Sequence, residues 1–189
     1  MTKNIIIFHG TMGSPEGNWV PWLASEMLER DYEVFIPALP TPDNQNLESW
    51  LKAAQRFDMN EETILIGHSC GATLLLHLLA QLKRSLKKAI LVSPVTDIIN
   101  IPDYDALNAS FIAPHLNADT FSSILHYVKL NNMRLDLFYG DNDPYVPQKQ
   151  PETLAKELGI KPHIIKGGGH LNAESGYTEF SELLEFVVD

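Results

Sequence analysis

The sequence has one cysteine, Cys70, among 189 residues, so no intrachain disulfide framework is available to it. Basic residues are scarce, 14 Lys and Arg against 24 Asp and Glu. The resulting net charge of −10 repels nucleic acid and anionic lipid, and no window clusters Lys or Arg with aromatics. The small basic group at Lys83, Arg84, Lys87 and Lys88 flanks a helix end, where cations complement the dipole. Long apolar runs are also missing: 74–80 carries His77 and stops far short of the ~20 residues needed to span a bilayer. Neither a basic leader nor a small-residue cleavage site precedes Ile5, so the expected compartment is cytoplasmic and reducing. Seven histidines are present but scattered, which excludes a clustered-ligand metal site and leaves no metal or other cofactor expected.

Short β-branched or apolar runs alternate with segments of helical period, the pattern of βα units and a mostly parallel sheet. Six strands are expected at 5–8, 33–36, 63–66, 88–92, 134–139 and 163–165. Helices are expected at 21–30, 47–55, 71–83, 119–130, 151–158 and 177–187, with Pro21 and Pro151 suited to first turns. No repeat, low-complexity tract or linker interrupts this order, so residues 1–189 read as a single domain. The segment 94–133 is the one long connection, too short for a second domain but long enough to cover part of a site.

Directly after the third strand stands Gly67-His68-Ser69-Cys70-Gly71, followed by an apolar helical run. G-x-S-x-G between strand and helix describes a sharp turn that lifts the central serine above the sheet, at the positive end of a helix. A Gly-flanked turn that merely joins two elements is the competing explanation. Serine is a poor nucleophile until a base takes its proton, and that base needs an acceptor to fix its tautomer. Only His170, in Gly167-Gly168-Gly169-His170, occupies a loop after the last strand. Asp143 follows the fifth strand in Gly140-Asp141-Asn142-Asp143-Pro144, with Asp141 as its rival and turn capping the other role open to either. Asp143 is preferred because it lies deeper in the loop. The chain order Ser, Asp, His is that of α/β-hydrolases.

Two amides suit an oxyanion: that of Cys70, after the serine, and that of Thr11, in the loop His9-Gly10-Thr11-Met12-Gly13 after the first strand. The Cys70 thiol itself reads as a small buried group rather than the nucleophile. Trp19 lies near the same loop and lines an acyl or alcohol pocket unless it packs the first helix onto the sheet, as Trp50 is expected to do.

The combination of His9-Gly10, Asn18-Trp19-Val20-Pro21-Trp22-Leu23, Leu47-Glu48-Ser49-Trp50, the elbow and Gly168-Gly169-His170-Leu171-Asn172 resembles the retinoblastoma-binding-protein-nine-like small serine hydrolases over nearly the whole chain. The resemblance implies a minimal α/β-hydrolase fold, six parallel strands in a three-layer sandwich, a triad of Ser69, Asp143 and His170, no metal and weak esterase activity. Animal members are named for a Leu-x-Cys-x-Glu contact with a pocket protein, and this chain has His68 and Ala72 where that motif needs Leu and Glu. The expected function is therefore acyl transfer from a small ester to water, with short-chain esters as surrogate substrates and no assignable protein partner. A hydrolase-fold interaction module with little turnover is the alternative from another class. A dehalogenase or epoxide hydrolase would need a carboxylate where Ser69 stands.

Overall fold

The computed structural model describes residues 2–189. Six strands form one sheet: β1 (Asn4–Phe8), β2 (Glu33–Phe35), β3 (Ile64–His68), β4 (Lys88–Val92), β5 (Arg134–Gly140) and β6 (His163–Ile165). Their order is β2-β1-β3-β4-β5-β6 and every pairing is parallel. This is the six-stranded α/β architecture the hydrophobic pattern implied. β1, β3 and β4 are buried along their whole length, which is why they read as continuous hydrophobic runs rather than alternating ones.

Successive side chains along each strand enter different layers. Ile5, Ile7, Ile64, Ile66, Ile90 and Val92 pack with Leu23 and Met27 of α1 (Val20–Leu28) and Leu183 and Val187 of the C-terminal helix (Ser181–Val188). Ile6, Phe8, Leu65, Ala89 and Leu91 face the opposite layer, built on α2 (Leu47–Ala54) and α3 (Cys70–Gln81). Each such fully buried aliphatic side chain contributes about 1.5–3 kcal/mol.

The connection after β4 holds α4 (Pro102–Asn108) and α5 (Ala118–Asn131). Helix α5 was legible, and a capping box explains its start: the Asn117 side chain accepts from the Asp119 and Thr120 amides. Helix α4 was not foreseen. It is short, has one buried residue, Asn108, and begins on Pro102 with Asp103 and Asp105 in its first turn. After α5 come α6 (Lys149–Glu157) and α7 (Ser181–Val188). Helix α7 starts four residues later than expected. The Asn172 side chain accepts from the Ser175 amide to form a short 3-10 turn, Ala173–Ser175, which Gly176 ends at φ 91°, and the backbone is still non-helical at Phe180 (φ −144°, ψ 77°), so the helix begins only at Ser181.

Candidate active site

The parallel sheet delivers the loops after β1, β3, β5 and β6 to one edge, and there they surround a cavity of about 270 Å³. Ser69 and His170 line it together with Thr11, while Asp143 stands behind His170.

Ser69 is the residue between β3 and α3 and takes φ 56°, ψ −124°, a left-handed backbone that a serine adopts only when its surroundings enforce it. Part of that enforcement is close packing. A Cβ on Gly71 would lie 2.4 Å from the Phe8 carbonyl oxygen, so only glycine lets the first turn of α3 cross β1 at this depth. The Ser69 amide donates to Val92 O at 2.8 Å, pinning the turn to β4.

His170 Nδ1 donates to Asp143 Oδ2 at 2.7 Å, and both side chains are buried. The other carboxylate oxygen, Oδ1, accepts from the Tyr145 and Val146 amides at 2.9 and 3.0 Å. With the Nδ1 proton held by Asp143, Nε2 is left as the basic nitrogen. Asp141, the rival, instead accepts from the Gly167 amide at 2.7 Å and so ties the two loops together away from the imidazole. Ser69 Oγ lies on the Gly10 side of the cavity and, among the described residues, makes no hydrogen bond with the His170 ring. Catalytic hydrogen bonds of this kind commonly tighten only once substrate is bound.

Two further histidines hold this arrangement, and neither role was readable from spacing. His68, fully buried inside the elbow, donates from Nε2 to the His170 carbonyl at 3.0 Å, and its ring lies 4.9 Å from that of His170. Burial, and after it the nearby His170, push its pKa down to about 3, so it is a neutral clamp. His9 donates from Nδ1 to the Gly10 carbonyl at 2.9 Å and accepts the Leu39 amide at Nε2 at 3.0 Å, which shapes the loop after β1. Burial lowers its pKa too, in keeping with an imidazole that must leave Nε2 unprotonated.

In that loop the Met12 amide is spent on Thr41 Oγ1 at 2.8 Å, whereas among the described residues the Thr11 and Cys70 amides are bonded to nothing. Both flank Ser69, Cys70 as its neighbour and Thr11 through Gly10. The Cys70 thiol is fully buried and its pKa is pushed up to about 12 by desolvation, which leaves it inert as a nucleophile.

Trp19 requires a correction. It does not line the cavity: it is fully buried, stacks edge-on to His68 and Phe180, and donates from Nε1 to the Leu171 carbonyl at 2.9 Å. An indole needs a partner when buried, and the His170 loop supplies one. Its neighbour Asn18 lines the cavity instead, and accepts from the Ala173 amide at 2.9 Å. The Asn18-Trp19 and His170-Leu171-Asn172 signatures are thus two halves of one latch that fixes the imidazole loop.

Gly10 packs against Ser69 itself. A Cβ there would sit 2.8 Å from Ser69 Cβ and 3.2 Å from Oγ. Gly10→Ala is expected to lower kcat on a short ester by up to about 10²-fold, since a shift of the reacting group by ~1 Å has that cost, and to lower the melting temperature as well, because neither Ser69 Cβ nor the His68 carbonyl can swing aside. Steady-state kinetics alongside a thermal melt check both halves.

Among the described residues no group of three or more His, Cys, Asp or Glu is placed to hold a metal ion, and no helix is long and apolar enough to cross a membrane.

A family model described as serine hydrolase matches residues 5–188. YdeN of Bacillus subtilis (strain 168), which carries the name of a hydrolase, is 26% identical over 182 residues, covering 94% of this chain and 90% of its own. The crystal structure of the B. subtilis ydeN product superposes with a TM-score of 0.85 at 23% identity, covering 99% of this chain and 97% of the other. Est1E from Butyrivibrio proteoclasticus matches with a TM-score of 0.69 at 17% identity, covering 99% of this chain and 87% of its own. At these identities the structures speak for the α/β-hydrolase fold alone.

Proposed function

The chain belongs to the serine hydrolase family, and from that premise we propose that it hydrolyses small esters by acyl transfer to water, with Ser69 as nucleophile, His170 as base and Asp143 as its orienting carboxylate. The observation that carries this reading is the 2.7 Å contact of His170 Nδ1 with Asp143, behind a cavity that His170 shares with a strained serine flanked by two unspent amides.

In the first step Ser69 Oγ turns from the Gly10 side toward His170 Nε2, gives up its proton there and bonds to the ester carbonyl carbon. The carbonyl electron pair moves onto oxygen, where the Thr11 and Cys70 amides donate to it. Collapse of that intermediate breaks the bond to the alcohol, which leaves with the proton from Nε2. Water then repeats the sequence on the acyl-enzyme and regenerates Ser69. The positive end of α3 adds to the field at the oxyanion.

The small cavity supports a short acyl group. Val95, Ile99 and Tyr104 form an apolar wall suited to it, and Glu174, whose carboxylate accepts from Tyr145 Oη, stands among polar groups that include Asn172. Within the family, the Trp-rich first loop and the Gly-Gly-His-Leu-Asn segment favour a place beside the retinoblastoma-binding-protein-nine-like members, and reducing cytoplasm suits the lone buried thiol.

A fluorophosphonate probe tests the reading directly. Peptide mapping is expected to find it on Ser69 alone, with loss of ester hydrolysis in proportion to labelling. Hydrolysis that survives complete labelling, or a probe bound at another serine, would overturn it and favour the interaction-module alternative or a different nucleophile.

A further inference from the structure

One buried polar side chain at the cavity has no role in the triad. Asn108, the last residue of α4, is only 2% exposed yet lines the cavity next to Thr11. A continuous run of hydrogen bonds fixes how its carboxamide is turned.

The run starts from a group whose direction is not negotiable. The Met12 amide must donate, and it donates to Thr41 Oγ1 at 2.8 Å; Thr41 in turn donates to Gln45 Oε1 at 2.6 Å. That leaves Gln45 Nε2 as the donor end, and it reaches Thr11 Oγ1 at 2.8 Å, Asn108 Oδ1 at 3.2 Å and the Leu107 carbonyl at 3.3 Å. A carbonyl can only accept, so Leu107 fixes the same orientation independently. Thr11 Oγ1, already accepting from Gln45, donates its hydrogen to Asn108 Oδ1. Turning Asn108 over would set its amide nitrogen against that of Gln45, donor against donor. Oδ1 therefore faces the network, and Nδ2, bonded to no acceptor among the described residues, is the part of the side chain left to the cavity.

We propose that Asn108 is a substrate-binding residue whose free carboxamide N–H selects acyl groups carrying an acceptor oxygen close to the ester carbonyl. The position identifies the part of the substrate. His170 must protonate the leaving alcohol, so the alcohol lies toward the loops after β5 and β6. Asn108 is bonded to the loops after β1 and β2, at the other end of the sheet order, and shares α4 with Tyr104 of the apolar wall. A plain hydrocarbon chain against that wall leaves Nδ2 desolvated and unpaired, whereas an ether, hydroxyl or keto oxygen there satisfies it. A buried donor without a partner is the more costly state, and the preference expected from one such bond is about 10- to 100-fold.

This rests on the hydrolase reading above, and the test keeps the two apart. The methoxyacetyl and butyryl esters of p-nitrophenol differ by one oxygen in place of one methylene, and their intrinsic reactivity difference cancels when the ratio of kcat/KM is compared between wild type and variant. Asn108→Leu is expected to lower the methoxyacetyl-to-butyryl ratio about tenfold or more. Asn108→Asp keeps the acceptor that Thr11 and Gln45 need, replaces the donor with an oxygen and is expected to lower the ratio at least as far; it serves if the leucine variant fails to fold. Gln45→Leu removes the group that fixes how the Asn108 carboxamide is turned, without lining the cavity itself, and is expected to lower the ratio in the same direction. An unchanged ratio in the Asn108 variants overturns the proposal, and a parallel loss on both esters assigns Asn108 to the oxyanion instead. A ratio left at the wild-type value by Gln45→Leu would overturn the carboxamide orientation on which the proposal rests. If no form of the protein reacts with a fluorophosphonate, it is the hydrolase reading that fails, and this proposal with it.

Discussion

Asp143→Asn is expected to lower kcat about 10⁴-fold while the melting temperature stays near that of the wild type, the loss known for a triad whose carboxylate becomes an amide. The reason lies in the backbone around Asp143. Its Oδ1 accepts from two amides, Tyr145 and Val146, and its Oδ2 accepts from His170 Nδ1. An asparagine has one acceptor oxygen, and two backbone donors outcompete one ring nitrogen for it. The carboxamide nitrogen is then turned to His170 and donates to Nδ1, which drives the ring proton to Nε2, the atom that must receive the Ser69 proton. The imidazole stays in place as the wrong tautomer. Asp141→Asn is the comparator: it retains an oxygen for the Gly167 amide and is expected to keep activity within several-fold. Kinetics on a p-nitrophenyl ester decide it. Activity of Asp143→Asn within tenfold of wild type, or an equal loss in Asp141→Asn, would remove Asp143 from the role.

The parts of this site that the sequence disclosed are those governed by short-range rules. The elbow is legible because strand, sharp turn and helix are contiguous, and His170 because chain order alone puts it on the last loop. Depth in a turn is the only local ground for preferring Asp143 to Asp141, whereas the contacts that separate the two carboxylates, with His170 for one and the Gly167 amide for the other, reach across to the last loop. What escaped notice is long-range. Trp19 and Leu171 are 152 positions apart, and nothing local in either says that an indole will hold the carbonyl next to the imidazole. Helix α4 has no amphipathic stripe to betray it, since its single buried residue is polar and its contacts run to loops 63 and 97 positions away. Aromatic residues at helical spacing are a signature of packing, and the pocket role considered for Trp19 failed because burial of an indole with a satisfied N–H is the commoner solution.

Acid is expected to unfold this protein through His68 as well as through its carboxylates, and His68→Gln is expected to remove one proton from that dependence. The ordinary imidazole pKa near 6.5 applies to the unfolded chain, while in the fold burial, with His170 adding repulsion, pushes it to about 3. The opposing pulls, the bond to the His170 carbonyl and the nearby Asp143 carboxylate, are smaller, and His9 adds a little further repulsion. A depressed value means that the folded state refuses a proton that the unfolded state accepts. Above pH 6.5 neither state is protonated and His68 contributes no dependence. From pH 6.5 down toward 3 stability falls by about 1.4 kcal/mol per pH unit, reaching about 4 kcal/mol by pH 3.5. Glutamine sets an amide nitrogen close to where imidazole Nε2 stands, so it can still donate to the His170 carbonyl, but it does not titrate. Urea unfolding of both proteins from pH 7 to 3.5 isolates the term, because the contributions of the carboxylates and of His9 and His77 are common to both and cancel in the difference. Equal pH slopes in the two proteins would show that His68 is not held neutral. A slope shallower by one proton, with hydrolysis retained at pH 7, would show that the elbow histidine acts through the shape it gives the His170 loop and not through its own charge.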